Sequence, residues 1–364
     1  MLLTLLACIP KSTPPADTPS TQRIRVATYN ASLFGDTPTD VLDRLQDGSD
    51  TQGERVAGVV DAAGADILIL QELDHDEDGA LLAAFNALLA EPYPYTWHAP
   101  SNTGVPTGRD LDHDGATDGP GDAQGYGTHP GQYAFAVLSR YPLDQDSLRT
   151  WQTLLWQDMP DARLPSDGDA PWYSEEDLAL LRLSSKNHVD VPVTVGSTTL
   201  HLLSAHPTPP VFDGDEDRNG LRNADEIRLL AEIIEGADWL RDDQGGSGGL
   251  SEDDAFVVFG DMNADPVDGD SVDGAIQQLL EHPRVHADTA TGALVPSSDG
   301  AVAADSRPDD QGDPAHDTAG WGQRVDYVLP SADLDPVASG VWWPEGDRSI
   351  EGSDHRLVWV DLEL

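Results

Sequence analysis

The chain has 364 residues, enough for one large α/β domain or two small ones, and its nine tryptophans and 38% hydrophobic content supply a sizeable core. Its 66 acidic residues face 20 lysines and arginines, a formal charge of −46, and only two of the cations are lysines, Lys11 and Lys186. Such a surface repels nucleic acid and anionic membranes unless a metal ion or a local basic patch intervenes, and the single cysteine, Cys8, excludes an internal disulfide.

In chain order, the first segment is Leu2-Leu3-Thr4-Leu5-Leu6-Ala7 followed by Cys8. An apolar run, a small residue and a cysteine resemble the lipobox at which bacterial lipoproteins are cleaved and acylated. A lipid anchor at Cys8 and an extracytoplasmic location are therefore expected, with an ordinary N-terminus as the alternative. Residues from Lys11 to Gln22 are rich in Pro, Ser and Thr and read as a flexible tether. The expected organisation is a signal-like segment and tether over 1–22 and one domain, expected as a monomer, over 23–364.

From Arg23 onward apolar and β-branched runs alternate with helical patterns. Ile24–Tyr29 predicts a strand, Glu54–Ala63 a helix ended by Gly64, and Asp66–Leu70 a short strand buried on both faces. Ala80–Ala90 predicts a helix and Tyr133–Leu138 a strand. Val189–Val195 and Thr198–Ala205 flank Gly196-Ser197, a two-residue hairpin signal. Ala224–Leu240 predicts a long helix, Ala255–Phe259 a buried strand, and Val272–Leu280 another helix. Arg324–Leu329, Ala338–Trp343 and Arg356–Leu362 close the chain as strands. Strands outnumber tight βαβ units, which favours mixed sheets packed face to face with helices outside. Three stretches rich in Gly, Pro and Asp, Asn102–Gly131, Gln157–Glu176 and Leu294–Gly322, are too long for ordinary connections and read as functional insertions or mobile surface.

Groups able to bind metal or move protons recur at strand ends. Asn30 follows Val26-Ala27-Thr28-Tyr29, Glu72 follows Ile67-Leu68-Ile69-Leu70-Gln71, and His206 follows Leu202-Leu203-Ser204-Ala205. Asp261 and Asn263 follow Val257-Val258-Phe259-Gly260, Asp326 lies within Arg324-Val325-Asp326-Tyr327-Val328, and Asp354-His355 precedes the last strand. One carboxylate after a strand most often caps a turn. Repeated delivery by apolar strands is what random placement rarely gives, and loops at strand ends are where sites are built.

Ala27-Thr28-Tyr29-Asn30, Gln71-Glu72, Ser204-Ala205-His206, Gly260-Asp261-Met262-Asn263, Arg324-Val325-Asp326-Tyr327 and Ser353-Asp354-His355 resemble the ordered motifs of the endonuclease/exonuclease/phosphatase superfamily, the DNase I-like proteins. The resemblance runs from about Arg23 to Leu364 and implies a four-layer α/β sandwich with the site at one edge of two packed sheets. It also implies a metal-dependent phosphoesterase. Phosphoester hydrolysis needs charge neutralisation on the phosphoryl oxygens, an activated water and a stabilised leaving group. Glu72 would hold a hard divalent ion, Mg²⁺ or Mn²⁺, with Asn30 and Asp354 supporting the metal. Asp261 would position or deprotonate water, Asn263 would donate to a phosphate oxygen, and His206 and His355 would bind phosphate and move protons. Asp326 would fix the His355 tautomer. Whether Asp261 or His355 is the base stays open. The substrate is a nucleic acid or a small phosphate ester. A lipid-headgroup phosphodiesterase and an inactive calcium-binding surface protein on the same fold are the other readings. Arg109, Arg140, Arg222 and Arg324 could form a basic strip beside the metal.

Two acidic loops raise a separate expectation of structural calcium. Asp215-Glu216-Asp217-Arg218-Asn219-Gly220, five residues and then Glu226 match the EF-hand loop pattern, though prolines 207, 209 and 210 forbid an entering helix. Asp110-Leu111-Asp112-His113-Asp114-Gly115 begins the same way, with Asp118 and Asp122 within reach. The alternative for both is a solvated acidic turn, and for Glu226 a solvent-facing position on the helix.

Overall fold

Apolar side chains on both faces of a strand demand a layer on each side, and the strands of this chain carry such runs almost throughout. The computed structural model describes residues 22–304, 311–344 and 352–364; Cys8 and its tether up to residue 21 lie outside the described residues. In chain order the strands are β1 (Arg23–Leu33), β2 (Ile67–Leu73), β3 (Tyr95–His98), β4 (Phe135–Ser139), β5 (Arg149–Thr150), β6 (Ser166–Asp167), β7 (Ala170–Pro171), β8 (His188–Val195), β9 (Thr198–Ala205), β10 (Ala255–Asp261), β11 (Asp326–Pro330), β12 (Asp335–Trp342) and β13 (Leu357–Glu363). The helices used below are α1 (Asp40–Asp47), α2 (Thr51–Ala63), α3 (Ala80–Asn86), α4 (Glu175–Leu178) and α5 (Arg218–Glu235).

One sheet has the order β12-β13-β1-β2-β4-β3 and the other β11-β10-β9-β8-β5, with β6-β7 as a separate ribbon. Val26, Ile69, Val137, Val191, Leu202, Phe259 and Val360 face one another between the sheets. On the outer face of the first sheet, Ala27, Tyr29, Leu68 and Leu70 pack on Val56 and Val60 of α2 and on Leu81 and Phe85 of α3. On the outer face of the second, Leu203, Phe256, Val258 and Leu329 pack on Ile227, Leu230 and Ile234 of α5. The result is the expected four-layer α/β sandwich of two mixed sheets flanked by helices.

Each sheet contains one parallel pair, β1 with β2 and β9 with β10. A parallel pair needs a crossover, and α1 with α2 supplies one while α5 supplies the other. Parallel neighbours end at the same edge, so these two crossovers bring four strand ends to one side of the sandwich. The antiparallel neighbours β11 and β13 begin at that side. This topology positions the site.

Element ends moved where local chemistry outvoted periodicity. The helix expected over Val272–Leu280 is reduced to Gln277–Leu280, because Gly274 sits at φ +80 and breaks it. The helix expected to run to Ala90 stops at Asn86, whose side chain binds both the N–H and the carbonyl of Tyr93 and turns the chain. The long helix spans Arg218–Glu235 rather than Ala224–Leu240, ending at Gly236 in the left-handed region. The Gly196-Ser197 hairpin joins β8 to β9 as expected, in register from Val195↔Thr198 to His188↔Ala205.

Candidate active site

Asn30 lies on β1, Glu72 on β2 and Asp261 on β10, while His206 directly follows β9. Asp326 opens β11 opposite Asp261, and His355 precedes β13. Ser32, Glu72, Tyr133 and Asn263, all at strand ends on this edge, hold φ between +47 and +55. Such backbone is costly for residues other than glycine, and it concentrates where side chains are aimed at a function.

The six motifs converge through direct contacts. Asn30 Nδ2 donates to Asp261 Oδ2 at 3.1 Å, and Asn30 Oδ1 accepts from the Ser32 N–H at 3.0 Å. His206 Nε2 lies 3.4 Å from Asp261 Oδ2 and 3.9 Å from Glu72 Oε1. His355 Nδ1 is 2.9 Å from Asp326 Oδ2, and its Nε2 is 3.6 Å from Asp261 Oδ2. Thr318 Oγ1 donates to Asp326 Oδ2 at 2.7 Å and receives the Val325 and Asp326 N–H groups, so it fixes the carboxylate behind His355. Asn263 N–H donates to Asp261 Oδ1 at 2.9 Å, and its amide Nδ2 donates to the Pro207 carbonyl at 3.1 Å. Trp321 packs edge-on against the His355 ring at 4.9 Å.

Burial splits the charge states. Desolvation raises the Glu72 carboxyl, against the pull of His355 and Asn30. It raises Asp261 to about 7, with Asp326 adding to the rise and His355 opposing it. Burial pushes His355 down, but Asp326 and Asp261 outweigh it and bring the imidazole up to about 10. Burial holds His206 well below its ordinary value, and Lys186 and His355 push the same way. Near neutral pH one histidine is therefore cationic and the other neutral.

Glu72, Asp261 and Asp326 place three carboxylates among few cations, and Asp326 Oδ1 is a buried oxygen without a hydrogen-bond donor. Under-satisfied oxygens of this kind fit a hard divalent ion. Asp261, Asp326 and His355 each bring one ligand atom within 4.8 Å of the others. His355 Nδ1 is engaged with Asp326, so this trio reads as a hydrogen-bonded relay that orients the ring, and Glu72 would be the oxygen donor for an ion. Asp354 is exposed at the rim, where its Oδ1 accepts from Ser32 Oγ at 2.6 Å.

The acidic loops fare differently. Glu226 does not face solvent, and its carboxylate is engaged by the backbone rather than held open in the expected calcium loop. It is fully buried, and its two carboxylate oxygens accept the N–H groups of Ser185 and Thr208, each at 2.6 Å. The helix begins at Arg218, inside the expected loop, so Asn219 is helical and its N–H binds Asp213 Oδ2 while its amide binds the Val211 carbonyl. Asp217 caps that helix in the left-handed region and Asp215 is exposed. Around Asp110 the carboxylates that converge within 4.8 Å are Asp110, Asp112 and Asp122. Asp114 instead turns back on its own loop, accepting the Ala116 N–H at 2.7 Å.

The four arginines expected as a basic strip are committed elsewhere. Arg109 pairs with Asp177, Arg140 binds the Glu91 and Pro92 carbonyls, Arg222 binds the Leu183, Gln124 and Arg182 carbonyls, and Arg324 binds the Ala290 and Thr289 carbonyls. The cation that does face the site is Lys186, which sequence reasoning missed. It is buried, its Nζ lies 3.5 Å from the Pro207 carbonyl, and Glu226, Glu72 and Asp261 act on its charge, while burial pulls its pKa down. The available signal was its rarity, one of two lysines in the chain.

With these strand ends gathered on a two-sheet sandwich, the profile of the Endonuclease/Exonuclease/phosphatase family matches residues 27–355. The chain belongs to that family, whose members are metal-dependent phosphoesterases. Among solved structures, the endonuclease/exonuclease/phosphatase from Beutenbergia cavernae is similar at 19% identity and a TM-score of 0.53, over 94% of this chain and 72% of that one. An endonuclease/exonuclease/phosphatase family protein from Leptotrichia buccalis follows at 13% identity and a TM-score of 0.51, over 94% of this chain and 100% of that one. A beta toxin from Staphylococcus aureus has 11% identity and a TM-score of 0.50, over 93% of this chain and 99% of that one. At such identities the likeness concerns the fold alone. Among curated proteins, none matches the chain.

Proposed function

We propose that this chain hydrolyses phosphodiester or phosphomonoester bonds with a divalent ion, Mg²⁺ or Mn²⁺, outside the cytoplasm. The observation that carries the reading is the relay Asp326–His355–Asp261 beside Glu72 and His206 on one sheet edge. Glu72 would hold the ion, which when bound neutralises charge on the phosphoryl and leaving oxygens.

The division of labour follows from the charge states. Asp326 accepts from His355 Nδ1 and leaves Nε2–H pointing into the site. With its pKa raised to about 10, His355 is an imidazolium near neutral pH and serves to stabilise negative charge on the phosphoryl group. Asp261, raised to about 7, is the better base. It takes a proton from water as the water oxygen bonds to phosphorus and the ester P–O bond breaks; the leaving oxygen is protonated from solvent. Neutral His206 can donate from Nε2 to a phosphoryl oxygen between Glu72 and Asp261. Asn263 keeps Asp261 aimed through its backbone N–H and, with its amide on Pro207, ties the β9 and β10 ends together.

An inactive scaffold has no use for raised carboxyls and an orphaned carboxylate oxygen held at one strand edge, which favours the enzymatic reading. The test is turnover of bis(p-nitrophenyl) phosphate, p-nitrophenyl phosphate, DNA, RNA and phospholipids with Mg²⁺, Mn²⁺ or Ca²⁺. Hydrolysis that EDTA abolishes and Asp261→Ala lowers by roughly 10²- to 10⁴-fold is expected; equal rates for the wild type and Asp261→Ala would overturn the site. The location rests on the Leu2–Cys8 segment. Full-length protein should partition with bacterial membranes and Cys8→Ser should release it.

A further inference from the structure

A cavity of about 520 Å³ opens directly off the catalytic edge, with Glu72, His206 and Lys186 at its inner end and the rings of Tyr126 and Phe212 at its mouth. Tyr126 comes from the first insertion and Phe212 from the segment that follows His206. Both rings are displayed to solvent, Phe212 at 89% exposure and Tyr126 at 65%. Neither exposure comes from a loose chain. Phe212 sits at φ +69, a conformation bulky residues avoid. The residues on either side of it are pinned by one side: the Val211 carbonyl accepts the Asn219 amide, and Asp213 accepts the Asn219 N–H, both at 2.6 Å. Tyr126 stands between Gly125 and Gly127. A Cβ at Gly125 would lie 2.0 Å from the Ser185 carbonyl oxygen, and one at Gly127 would lie 2.8 Å from the Gly104 nitrogen. The backbone is therefore pressed against the core on both sides while the ring points out.

Pinned, strained backbone that presents aromatic faces is the arrangement a preorganised ligand surface needs. We infer that this cavity is a subsite for a planar aromatic ring carried by the substrate beside its phosphate. The inference deepens the phosphoesterase reading and rests on it, since a phosphoryl group between Glu72 and His206 leaves its organic half facing this cavity. Charge supports a small ligand over a polymer. The chain carries −46, and the cations that line the cavity are already engaged: Arg222 is tied to the Leu183, Gln124 and Arg182 carbonyls, Arg218 pairs with Glu216, and Lys186 is buried at the inner end. A cavity of this size holds one ring system with a phosphate, within the usual range for small-molecule sites. Polar groups at its inner end favour an aryl or nucleobase-like ring over a long hydrocarbon chain.

The experiment uses three phosphonates that cannot be hydrolysed, methyl-, phenyl- and octylphosphonate, bound to the full chain in Mg²⁺ and measured by calorimetry, alongside turnover of the better nitrophenyl ester. Phenylphosphonate should bind at least about tenfold tighter than methylphosphonate, the scale of one ring–ring contact. Phe212→Ala and Tyr126→Ala should each reduce that ratio to within about threefold, and Phe212→Tyr and Tyr126→Phe should keep it. Because the readout is a ratio within one protein, a general loss of fold or of phosphate binding does not imitate the expected result. A ratio near one in the wild type, a ratio that survives both alanine variants, or octylphosphonate as the tightest ligand would each overturn the aromatic subsite while turnover persists. Absence of both turnover and phosphonate binding would instead overturn the phosphoesterase reading itself.

Discussion

Glu226 is fully buried and Glu72 is partly buried at the catalytic edge, and Lys186 feels both, yet their surroundings are opposite. Glu226 meets two backbone N–H groups at 2.6 Å, one from each loop beside the site, and so ties Ser185 to Thr208. Glu72 has a pKa raised by burial, against the pull of His355 and the Asn30 amide. The contrast separates two uses of a buried carboxylate. Where fixed donors meet both oxygens, the charge holds structure together. Where donors fall short, the fold bears a cost that a bound cation or substrate can relieve. Asp225 belongs with Glu226, since it accepts from Trp156 Nε1 and from Arg163 through its N–H and guanidinium. Asp261 belongs with Glu72.

The largest expected effect breaks the functional side of this contrast. His355→Ala or Asp261→Ala should lower kcat roughly 10²- to 10⁴-fold, the scale of losing a positioned proton-transfer or charge-stabilising group. Wild-type kcat/KM should rise with pH as Asp261 loses its proton near about 7 and fall as His355 loses its own near about 10. Asp326→Asn should move the falling limb to lower pH, because Asp326 is the larger of the two carboxylate influences raising His355. A falling limb that stays in place in Asp326→Asn would contradict the relay.

The structural side is tested by Glu226→Gln. The amide nitrogen it introduces would face a backbone N–H, leaving a buried donor unmet, and stability should fall by about 3 kcal/mol in denaturant melts. That loss should be the same with calcium or with chelator. Stabilisation by millimolar Ca²⁺ in the wild type but not in the variant would revive the calcium loop.

Glu72→Gln should act with the opposite sign. A carboxyl whose folded pKa is raised above its usual 4.5 favours folding while protonated, and loses that contribution as pH rises through the folded value. Above the folded value its charge is a cost. In EDTA the Gln variant should therefore be more stable than the wild type, by roughly 1 kcal/mol, the common gain when a functional group is removed. In Mg²⁺ the order should shrink or reverse, because the ion stabilises only the protein that binds it. A Glu72→Gln variant less stable in EDTA would place Glu72 with the structural carboxylates.

The same contrast explains what could be read from the sequence. The strand-end residues were legible because each apolar run fixes its own phase, and its end can be counted from the letters Ala27-Thr28-Tyr29-Asn30 or Val257-Val258-Phe259-Gly260-Asp261. That these ends meet follows from two crossovers, which only the order of strands and helices hints at. Glu226 was misread because the EF-hand pattern counts oxygens and ignores where a helix starts. The chain around it already carried apolar residues at helical spacing, with Leu221, Ala224, Ile227 and Ile234 on or beside one packed face, and that pattern prevailed. Lys186 was invisible to motif reasoning because Ser184-Ser185-Lys186 has no characteristic spacing, and its significance lies in burial. Phe212 and Tyr126 escaped for the reverse reason, since an exposed ring in a loop carries no periodic signal.

The smallest expected effect concerns ionic strength, and it applies the contrast to the arginines. Proteins that grip DNA through exposed cations lose affinity steeply as salt rises, because bound counterions are released from the phosphates. Here the guanidinium groups of Arg140, Arg222 and Arg324 donate to carbonyls, and Arg109 is held by Asp177. They are spent on structure, and the field around the molecule is that of a chain at −46. Salt should then weaken repulsion rather than attraction, with the Debye length shrinking from about 30 Å at 0.01 M to about 3 Å at 1 M. At saturating metal, kcat/KM on duplex DNA should stay flat or rise between low and moderate NaCl. A small phosphomonoester should change less, since it carries less charge into the same field. Thermal stability should rise over the same series as self-repulsion is screened. A steep monotonic fall on DNA alone would show that cations near the site still govern binding, and would move the substrate from a small ester with an aromatic ring to a nucleic acid.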